Sequence, residues 1–179
     1  MPQIVLRPEG IVANINEGWT SPEHVFHDDG VVAAFTESTE ENGLTLTLGD
    51  TGLPLTYTIN SVRIGLDGLT VISKTPAEGT LGVKMMKGST SGVYYNEGTT
   101  FNNNAIGYLQ TLRTEASSGT PWTVSSINGI RLILNVVEEE STLPINLDQV
   151  YLTVDYNLPS SPIKITSGVV KITSGKIII

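Results

Sequence analysis

Residue types that bind metals concentrate in one short stretch near the start of the chain, at His24, His27, Asp28 and Asp29. A transition-metal site needs three or four ligands in tetrahedral or octahedral geometry, and the chain has no cysteine to supply a thiolate. Calcium would need the alternating Asp and Asn spacing of a known loop type, which is absent here. The stretch therefore favours a solvated loop with a turn at 28–30, and we expect no metal site and no cofactor.

A second stretch, Gly88-Ser89-Thr90-Ser91-Gly92, has the outline of the nucleophile elbow of hydrolases. Its central residue is threonine rather than serine, and no helical pattern follows it. The chain has two histidines and no pair of carboxylates placed by a motif, so hydrolytic catalysis has no support. A glycine-rich phosphate loop with its lysine is also missing. The sequence predicts that the protein is not an enzyme.

Aromatic side chains offer a third kind of chemistry, because an aromatic ring packs against the apolar C–H face of a sugar. Trp19, Tyr94 and Tyr95 are the candidates for a ligand or subunit contact. The two tyrosines lie in a stretch rich in glycine, serine, threonine and asparagine, 88–104, which we expect to be a loop. Trp122 follows a proline and precedes a predicted helical turn, so it is expected to pack in the core. Trp19 is compatible with either role.

Alternating apolar and polar residues predict the strands that position these side chains. Leucines alternate with threonines over 44–48, and 130–136 and 150–156 repeat the alternation. Proline and glycine turns separate the strands at a spacing typical of a sandwich, and the first strand is expected to stop at Pro8 and Gly10. Abundant threonine, valine, isoleucine and glycine, without a clear helical stripe, predict an all-β fold.

Three local signals refine that pattern. The apolar residues of the strand at 55–66 change parity near Asn60-Ser61, which predicts a bulge or bend. Asp67-Gly68 predicts a two-residue hairpin turn. Residues 120–129 predict a single helical turn, with proline near its start and glycine at its end.

The C-terminal stretch carries a direct repeat, Lys-Ile-Thr-Ser-Gly at 164–168 and again at 171–175, followed by Lys176 and three isoleucines. Ordering this backbone costs about as much free energy as burial of its apolar side chains returns, so it cannot stay ordered alone. We therefore divide the chain into a sandwich domain, 1–157, and a hinge with a strand-forming arm, 158–179. The arm is expected to bind a neighbouring subunit by strand addition.

The predicted contact residues of the arm are its apolar and basic positions, Ile163, Lys164, Ile165, Val169, Val170, Lys171, Ile172, Lys176, Ile177, Ile178 and Ile179.

Charge divides the chain in the same way. The net charge is −8, but the stretch up to Asp155 holds 18 acidic residues against seven basic ones, the ten less Lys164, Lys171 and Lys176, for a net −11. The rest carries +3 and no acid, so arm and body are complementary in sign. An acidic body argues against binding nucleic acid through phosphates. No signal peptide pattern or long apolar run is present, and we expect no membrane partner.

Five landmarks follow one another along the chain: Ile4-Val5-Leu6-Arg7-Pro8, Gly18-Trp19, then 58–64 (TINSVRI), 120–123 (TPWT) and 147–156 (LDQVYLTVDY). Over about residues 3–156 this order resembles a group of jelly-roll virion proteins of tailed bacteriophages. The resemblance implies an antiparallel two-sheet jelly-roll sandwich that serves as a capsid decoration, tail or fibre module. Some such modules are similar to carbohydrate-binding domains.

The sequence thus leads to a non-enzymatic structural protein of the virion as the main interpretation. Its function would be capsid decoration, or cement, with the major capsid protein or other virion subunits as partners. A homo-oligomer is expected, with a trimer as the favoured state. The alternative is a glycan-binding module of a phage tail or fibre, with a tail or connector subunit as a further possibility.

Overall fold

The computed structural model of the protein describes residues 1–14, 18–27, 29–35, 43–71, 80–87, 94–100, 105–114, 119–137, 145–159, 171–173 and 176–178. Antiparallel strands make up almost all of the regular structure in these ranges, and the helical part is one short 3-10 helix and one short α-helix. The all-β prediction is therefore confirmed. No helix within these ranges is long and apolar enough to cross a membrane.

The strands in chain order are β1 (Gln3–Leu6), β2 (Pro8–Asn14), β3 (Trp19–Thr20), β4 (Ala33–Phe35), β5 (Gly43–Leu48), β6 (Thr58–Val71), β7 (Thr80–Lys87), β8 (Tyr94–Thr100), β9 (Ala105–Leu112), β10 (Ile130–Val137), β11 (Ile145–Leu147), β12 (Gln149–Asn157), β13 (Lys171–Thr173) and β14 (Lys176–Ile178), with the 3-10 helix at Pro22–Phe26 and α1 at Val124–Ile127.

One sheet has seven strands and is built around the long strand β6. One side of β6 pairs with β9, and the other pairs with β12 and then β11. Strand β1 pairs with β12, whereas β4 pairs with β11 and carries β3 on its far side. All these pairings are antiparallel, so β6 is the central support of this sheet.

The other sheet has five strands in the order β2-β5-β10-β7-β8. Its register aligns Leu46 with Leu132 and Leu132 with Met85, so these apolar side chains share one face. Threonines of β5 alternate with the leucines and occupy the other face, as the period of two requires.

The two sheets pack face to face around one apolar core. Ile64 and Leu152 of the seven-stranded sheet belong to the same buried cluster as Leu46 and Leu132 of the five-stranded sheet. Every one of these four side chains is fully buried. The two-sheet sandwich is thus confirmed, whereas a jelly-roll order of connections stays a prediction.

Two signals within β6 have different outcomes. The predicted bulge is present, because Asp155 pairs with Ser61 and Tyr156 with Ile59, which leaves Asn60 as the extra residue. The predicted hairpin turn at Asp67-Gly68 is wrong, because β6 runs on to Val71 as one strand.

The reason for the continuation of β6 lies on the opposite strand. Strand β12 ends its pairing with β6 at Asp67, strand β11 resumes it at Thr70, and Asp148 lies between the two partners. The amide of Asp148 donates to the carbonyl of Asp67 at 3.3 Å. Gly68 adopts a positive φ of 59°, and a Cβ there would lie 2.4 Å from Cβ of Asp148. The glycine therefore permits an irregularity in the ladder rather than a reversal of the chain.

The first strand stops before Pro8, as predicted, because β1 ends at Leu6. The chain then enters the five-stranded sheet, where β2 begins at Pro8 and continues through Gly10 to Asn14 as an edge strand, which tolerates a missing amide. The expected loop at 88–104 contains β8. Residues 88–92, with the elbow-like stretch, lie outside the described residues.

The predicted helical turn is confirmed as α1. Thr123 caps it, since its side chain accepts from the amide of Ser126 at 3.0 Å, and Ser126 Oγ accepts from the amide of Thr123 at 2.9 Å. Gly129 follows with a positive φ of 83°. Trp122, just before this turn, is buried in the core, as predicted.

The C-terminal hairpin, which we define as β13 and β14, forms a two-stranded sheet of its own. Lys171 pairs with Ile178, Ile172 with Ile177, and Thr173 with Lys176. Within the described strands, β13 and β14 pair only with each other and with neither sheet of the sandwich. The arm positions Ile163, Lys164, Ile165, Val169, Val170 and Ile179 lie outside the described residues.

Candidate functional site

Trp19 is not available to a ligand. Its side chain is only 2% exposed, and its ring packs against Phe35 with 5.6 Å between ring centroids. The backbone of Trp19 is held as well, because Asn14 Nδ2 donates to its carbonyl at 2.8 Å and its amide donates to Asn14 Oδ1 at 3.2 Å. We therefore correct the expected contact role of Trp19, which is a core residue.

Tyr94 and Tyr95 are consecutive residues at the start of β8, and they belong to opposite faces of the sheet. Tyr95 pairs with Met85, which is fully buried in the core, whereas Tyr94 pairs with Met86 on the opposite face. Directly paired residues share a face of the sheet. The position of Tyr94 therefore belongs to the outer face of the sandwich, and the position of Tyr95 belongs to the core face.

A row of paired positions crosses this outer face from one edge of the sheet to the other. Tyr94 pairs with Met86, Met86 with Arg131, Arg131 with Thr47, and Thr47 with Gly10. Arg131 and Thr47 are both partly exposed, whereas Met86 is only 9% exposed. We call these five positions the cross-strand row. With strands about 4.8 Å apart, it extends about 19 Å.

The two ends of the row differ in bulk. Thr47 Oγ1 donates to the carbonyl of Gly10 at 3.2 Å. A Cβ added at Gly10 would lie 3.1 Å from Thr47 Oγ1. Because glycine has no side chain, nothing projects from this edge of the sheet beside Thr47. The opposite end of the row is the aromatic residue Tyr94. Arg131 lies between Tyr94 and Gly10 in the row.

The outer face of the seven-stranded sheet holds a different arrangement, centred on Asp155. Oδ1 accepts from Gln3 Nε2 at 2.6 Å and from Arg63 Nη2 at 2.9 Å, while Oδ2 accepts from Ser61 Oγ at 2.5 Å. These donors come from β1 and β6, on either side of β12. Asp155 therefore joins three strands through a single carboxylate.

The surroundings of Asp155 also set its charge. Burial opposes the ionised form, but hydrogen bonds from Ser61 and Gln3 and the positive charge of Arg63 favour it more strongly, so the pKa of Asp155 lies below its ordinary value of 3.8. Both oxygens of the carboxylate already accept hydrogen bonds from side chains of this chain. The arrangement fits a structural ion pair rather than an acid or base that exchanges protons with a substrate.

Sequence reasoning did not identify this network. Ser61 and Asp155 are 94 positions apart in the chain, and Gln3 and Asp155 are 152 apart. The available signal is parity, because Ser61 and Arg63 alternate with the apolar Val62 and Ile64 on β6. That pattern indicates which residues face outward but not which carboxylate they meet.

The stretch first considered for metal binding folds partly as the 3-10 helix, which contains His24. His24 Nδ1 lies 3.8 Å from Asp29 Oδ2. Asp29 Oδ1 accepts from the amide of Val31 at 2.9 Å, which makes a local turn, and Gly30 takes a positive φ of 74°. Asp28 lies outside the described residues. Within the described part of the chain, no three His, Asp or Glu side chains are grouped to hold a metal ion.

Comparison with known proteins finds similarity among solved structures only. No protein-family model matches the chain, and no curated protein matches it. Among solved structures, the chain is similar to TmCBM61, a carbohydrate-binding module, in complex with β-1,4-galactotriose. The TM-score is 0.35 with 15% sequence identity, over 84% of this chain and 87% of that chain.

Proposed function

We propose that this protein is a glycan-binding module and that the cross-strand row holds the glycan. The observation that carries this proposal is that Tyr94 and Arg131 occupy the same row on one outer face, with Met86 between them. The positions of these two residues are about two strand spacings apart, roughly 10 Å, and an aromatic and a guanidinium residue match the two needs of a sugar chain. One is an apolar platform for a ring, and the other is a donor for hydroxyl groups.

The rest of the row suits an extended ligand. Arg131 presents N–H donors in a planar fork, and Thr47 adds a hydroxyl one strand further on. The low edge at Gly10 lets a sugar chain continue past the sheet without a steric barrier. A length of about 19 Å accommodates several sugar rings in line. The ligand class that fits is therefore an oligosaccharide with free hydroxyl groups rather than a single small sugar.

The test is retention on immobilised polysaccharides and a glycan array, followed by calorimetry on any hit. Tyr94→Ala and Arg131→Gln should each weaken binding at least tenfold, which corresponds to about 1.4 kcal/mol. Arg113→Gln is the matched control, because it removes the same charge from an exposed residue outside the row. A parent protein that retains no glycan, or binding that survives both row variants, contradicts the proposal.

A second candidate is assembly, as a structural protein of the virion such as a capsid decoration protein. One observation favours it: the C-terminal hairpin pairs with neither sheet of the sandwich within the described strands. A two-stranded hairpin of three residues per strand is marginal in water unless another surface covers it. The partner would be the major capsid protein or another virion subunit.

Mass spectrometry of purified particles tests this second function. Hundreds of copies per particle support capsid decoration, and a handful supports a tail, fibre or connector position. Absence of the protein from purified particles contradicts every virion role. A tail or fibre position is compatible with glycan binding, so the two candidate functions do not exclude each other. Each one is tested by its own measurement.

A further inference from the structure

We propose that the free edge of β2 receives the C-terminal hairpin of a second copy of this chain. Among the described strands, β2 pairs only with β5, so the other side of its backbone has no strand beside it, although the 3-10 helix contacts β2. A free edge presents a row of N–H and C=O groups to which another strand can add. This interaction surface is independent of the cross-strand row except at Gly10, which lies at the same edge.

The side chains of β2 make this edge unusual. Ile11 and Val12 are 40% and 45% exposed, although successive residues of a strand ordinarily point to opposite faces. The register shifts between Ile11 and Ala13, which accounts for the exposure of both. Edge strands are usually protected by charged residues and proline, and β2 has both at its start, Pro8 and Glu9, but no charged residue from Gly10 to Asn14. The two adjacent exposed apolar residues in that second part of the strand favour docking there.

Two of the other described edges, β3 and β1, are less suitable. Strand β3 has only two residues, and its Trp19 is turned into the core. Strand β1 has four residues, and Gln3 at its start is already engaged with Asp155. By length and by exposed apolar side chains together, β2 is the better acceptor for an added strand.

The occupant is chosen by chemistry and by charge. The hairpin brings β-branched isoleucines, which favour strand conformation, and lysines at 171 and 176. Near the start of β2, Glu9 and Asp50 are both exposed and acidic. The chain after Asp155 carries only positive charge, whereas the body carries a net −11 from its 18 acidic and seven basic residues. Attraction between them brings the hairpin to the body, and the exposed Ile11 and Val12 favour the β2 edge as the place where it docks.

The length of the hinge allows the hairpin to leave its own body. Thirteen residues separate Asn157, the end of β12, from Lys171. Fully extended, they cover about 43 Å at about 3.3 Å per residue. The radius of gyration of a domain of this size is about 15 Å. In the single chain the hairpin does not pair with β2, and mutual exchange between two copies would cover both hairpins and both edges.

The chain contains no cysteine, so disulfide trapping is clean. We would mix Val12→Cys protein with isotopically labelled Ile177→Cys protein under mild oxidation and measure covalent heterodimers by mass spectrometry. The expected result is a Val12–Ile177 heterodimer several times more abundant than that from Leu55→Cys with Ile177→Cys. Leu55 is 76% exposed in the β5–β6 loop and belongs to no strand, and so reports random collision.

A second variant keeps the test independent of oxidation. Val12→Lys should raise the dimer dissociation constant at least tenfold in sedimentation experiments, because it places a charge where isoleucines of the hairpin would pack. Val5→Lys, at a 42% exposed position of β1, is the matched control and should leave the constant unchanged. A parent that stays monomeric, a trapped yield no higher than the Leu55 control, or a Val12→Lys protein that dimerises like the parent overturns the proposal. Loss of glycan binding alone does not affect it.

Discussion

Arg63 on β6 donates a hydrogen bond to Asp155 on β12, with 2.9 Å between Nη2 and Oδ1, and the pair lies on the outer face of the seven-stranded sheet. The side chain of Asp155 is 10% exposed and that of Arg63 is 21% exposed, so solvent screens the pair only partly. Hydrogen bonds to charged groups contribute more to stability than neutral ones. The network therefore fixes β1, β12 and β6 relative to one another.

The first prediction is that Asp155→Asn destabilises the fold. The amide cannot accept from three donors as the carboxylate does, so the free energy of unfolding should fall by about 1.5–3 kcal/mol. Asp50→Asn is the control, because Asp50 is exposed, and it should change the value by less than about 0.5 kcal/mol. Urea denaturation followed by tryptophan fluorescence measures both. Equal stability of the two variants would contradict a structural role for the network.

The second prediction concerns pH. The pKa of Asp155 is lower in the folded chain than its ordinary value of 3.8, so its contribution is fully present above that value and is lost as pH falls through the folded-state pKa. Unfolding free energies measured from about pH 6 down to about pH 2 should therefore decline at the acid end. The decline should be smaller in Asp155→Asn, which has no proton to gain at this position. An identical decline in parent and variant would show that other carboxylates account for it.

The third prediction uses two glycines with similar backbones. Gly68 and Gly52 have φ values of 59° and 66°, but a Cβ at Gly68 meets Asp148 while a Cβ at Gly52 meets nothing within 4 Å. Gly52→Ala should cost only the left-handed backbone penalty, about 1 kcal/mol. Gly68→Ala should cost about 2–4 kcal/mol, because displacement of Asp148 adds to that penalty. Thermal unfolding of both variants checks the order, and a larger loss at Gly52 would contradict it.

Gly68 also illustrates where the sequence suffices and where it does not. Alternation in 44–48 and 150–156 identified the core strands, because a period of two depends only on local neighbours. Asp67-Gly68 has the composition of a hairpin turn, yet its role depends on Asp148, a residue of another strand. The sequence shows that this dipeptide can adopt a positive φ. It does not show that Asp148 on the neighbouring strand determines whether the chain turns there or continues.

The candidate site shows the same division. The sequence identified Tyr94 and Tyr95 as aromatics worth testing, but their polar surroundings concealed β8, and only pairing with Met86 and Met85 separates the outer position from the core position. Arg131 was read as part of an alternating strand, with no indication that it pairs into the row of Tyr94. Cross-strand neighbours come from distant parts of the chain, so periodicity cannot supply them.

The fourth prediction tests the contact between α1 and the β5–β6 loop. Asn128 Oδ1 accepts from the amide of Thr51 at 3.0 Å and from its hydroxyl at 2.8 Å. Asn128→Ala should cost about 1–3 kcal/mol, because both donors lose their partner in a part-buried position. Asn128→Asp keeps an oxygen acceptor and should cost less. Denaturant unfolding of the two variants gives the comparison. Equal losses of unfolding free energy would mean that Asn128 does not stabilise the fold by accepting these two hydrogen bonds.

The last prediction concerns the division of the chain. The residues of the described core cluster extend from Leu6 to Val154, and β12, the last described strand of the sandwich, ends at Asn157. Deletion of 158–179 should therefore leave the unfolding midpoint of the body unchanged, with a difference of less than about 0.5 kcal/mol in free energy.

Attachment to a partner should be lost in the same protein, because strand pairing and burial of isoleucines supply most of its affinity. Gln at 164, 171 and 176 in place of lysine should weaken attachment only modestly, since exposed ion pairs contribute about 0–1 kcal/mol each. A truncated protein that unfolds far more easily would show that the arm belongs to the body, and one that assembles as well as the parent would show that the arm is not the contact.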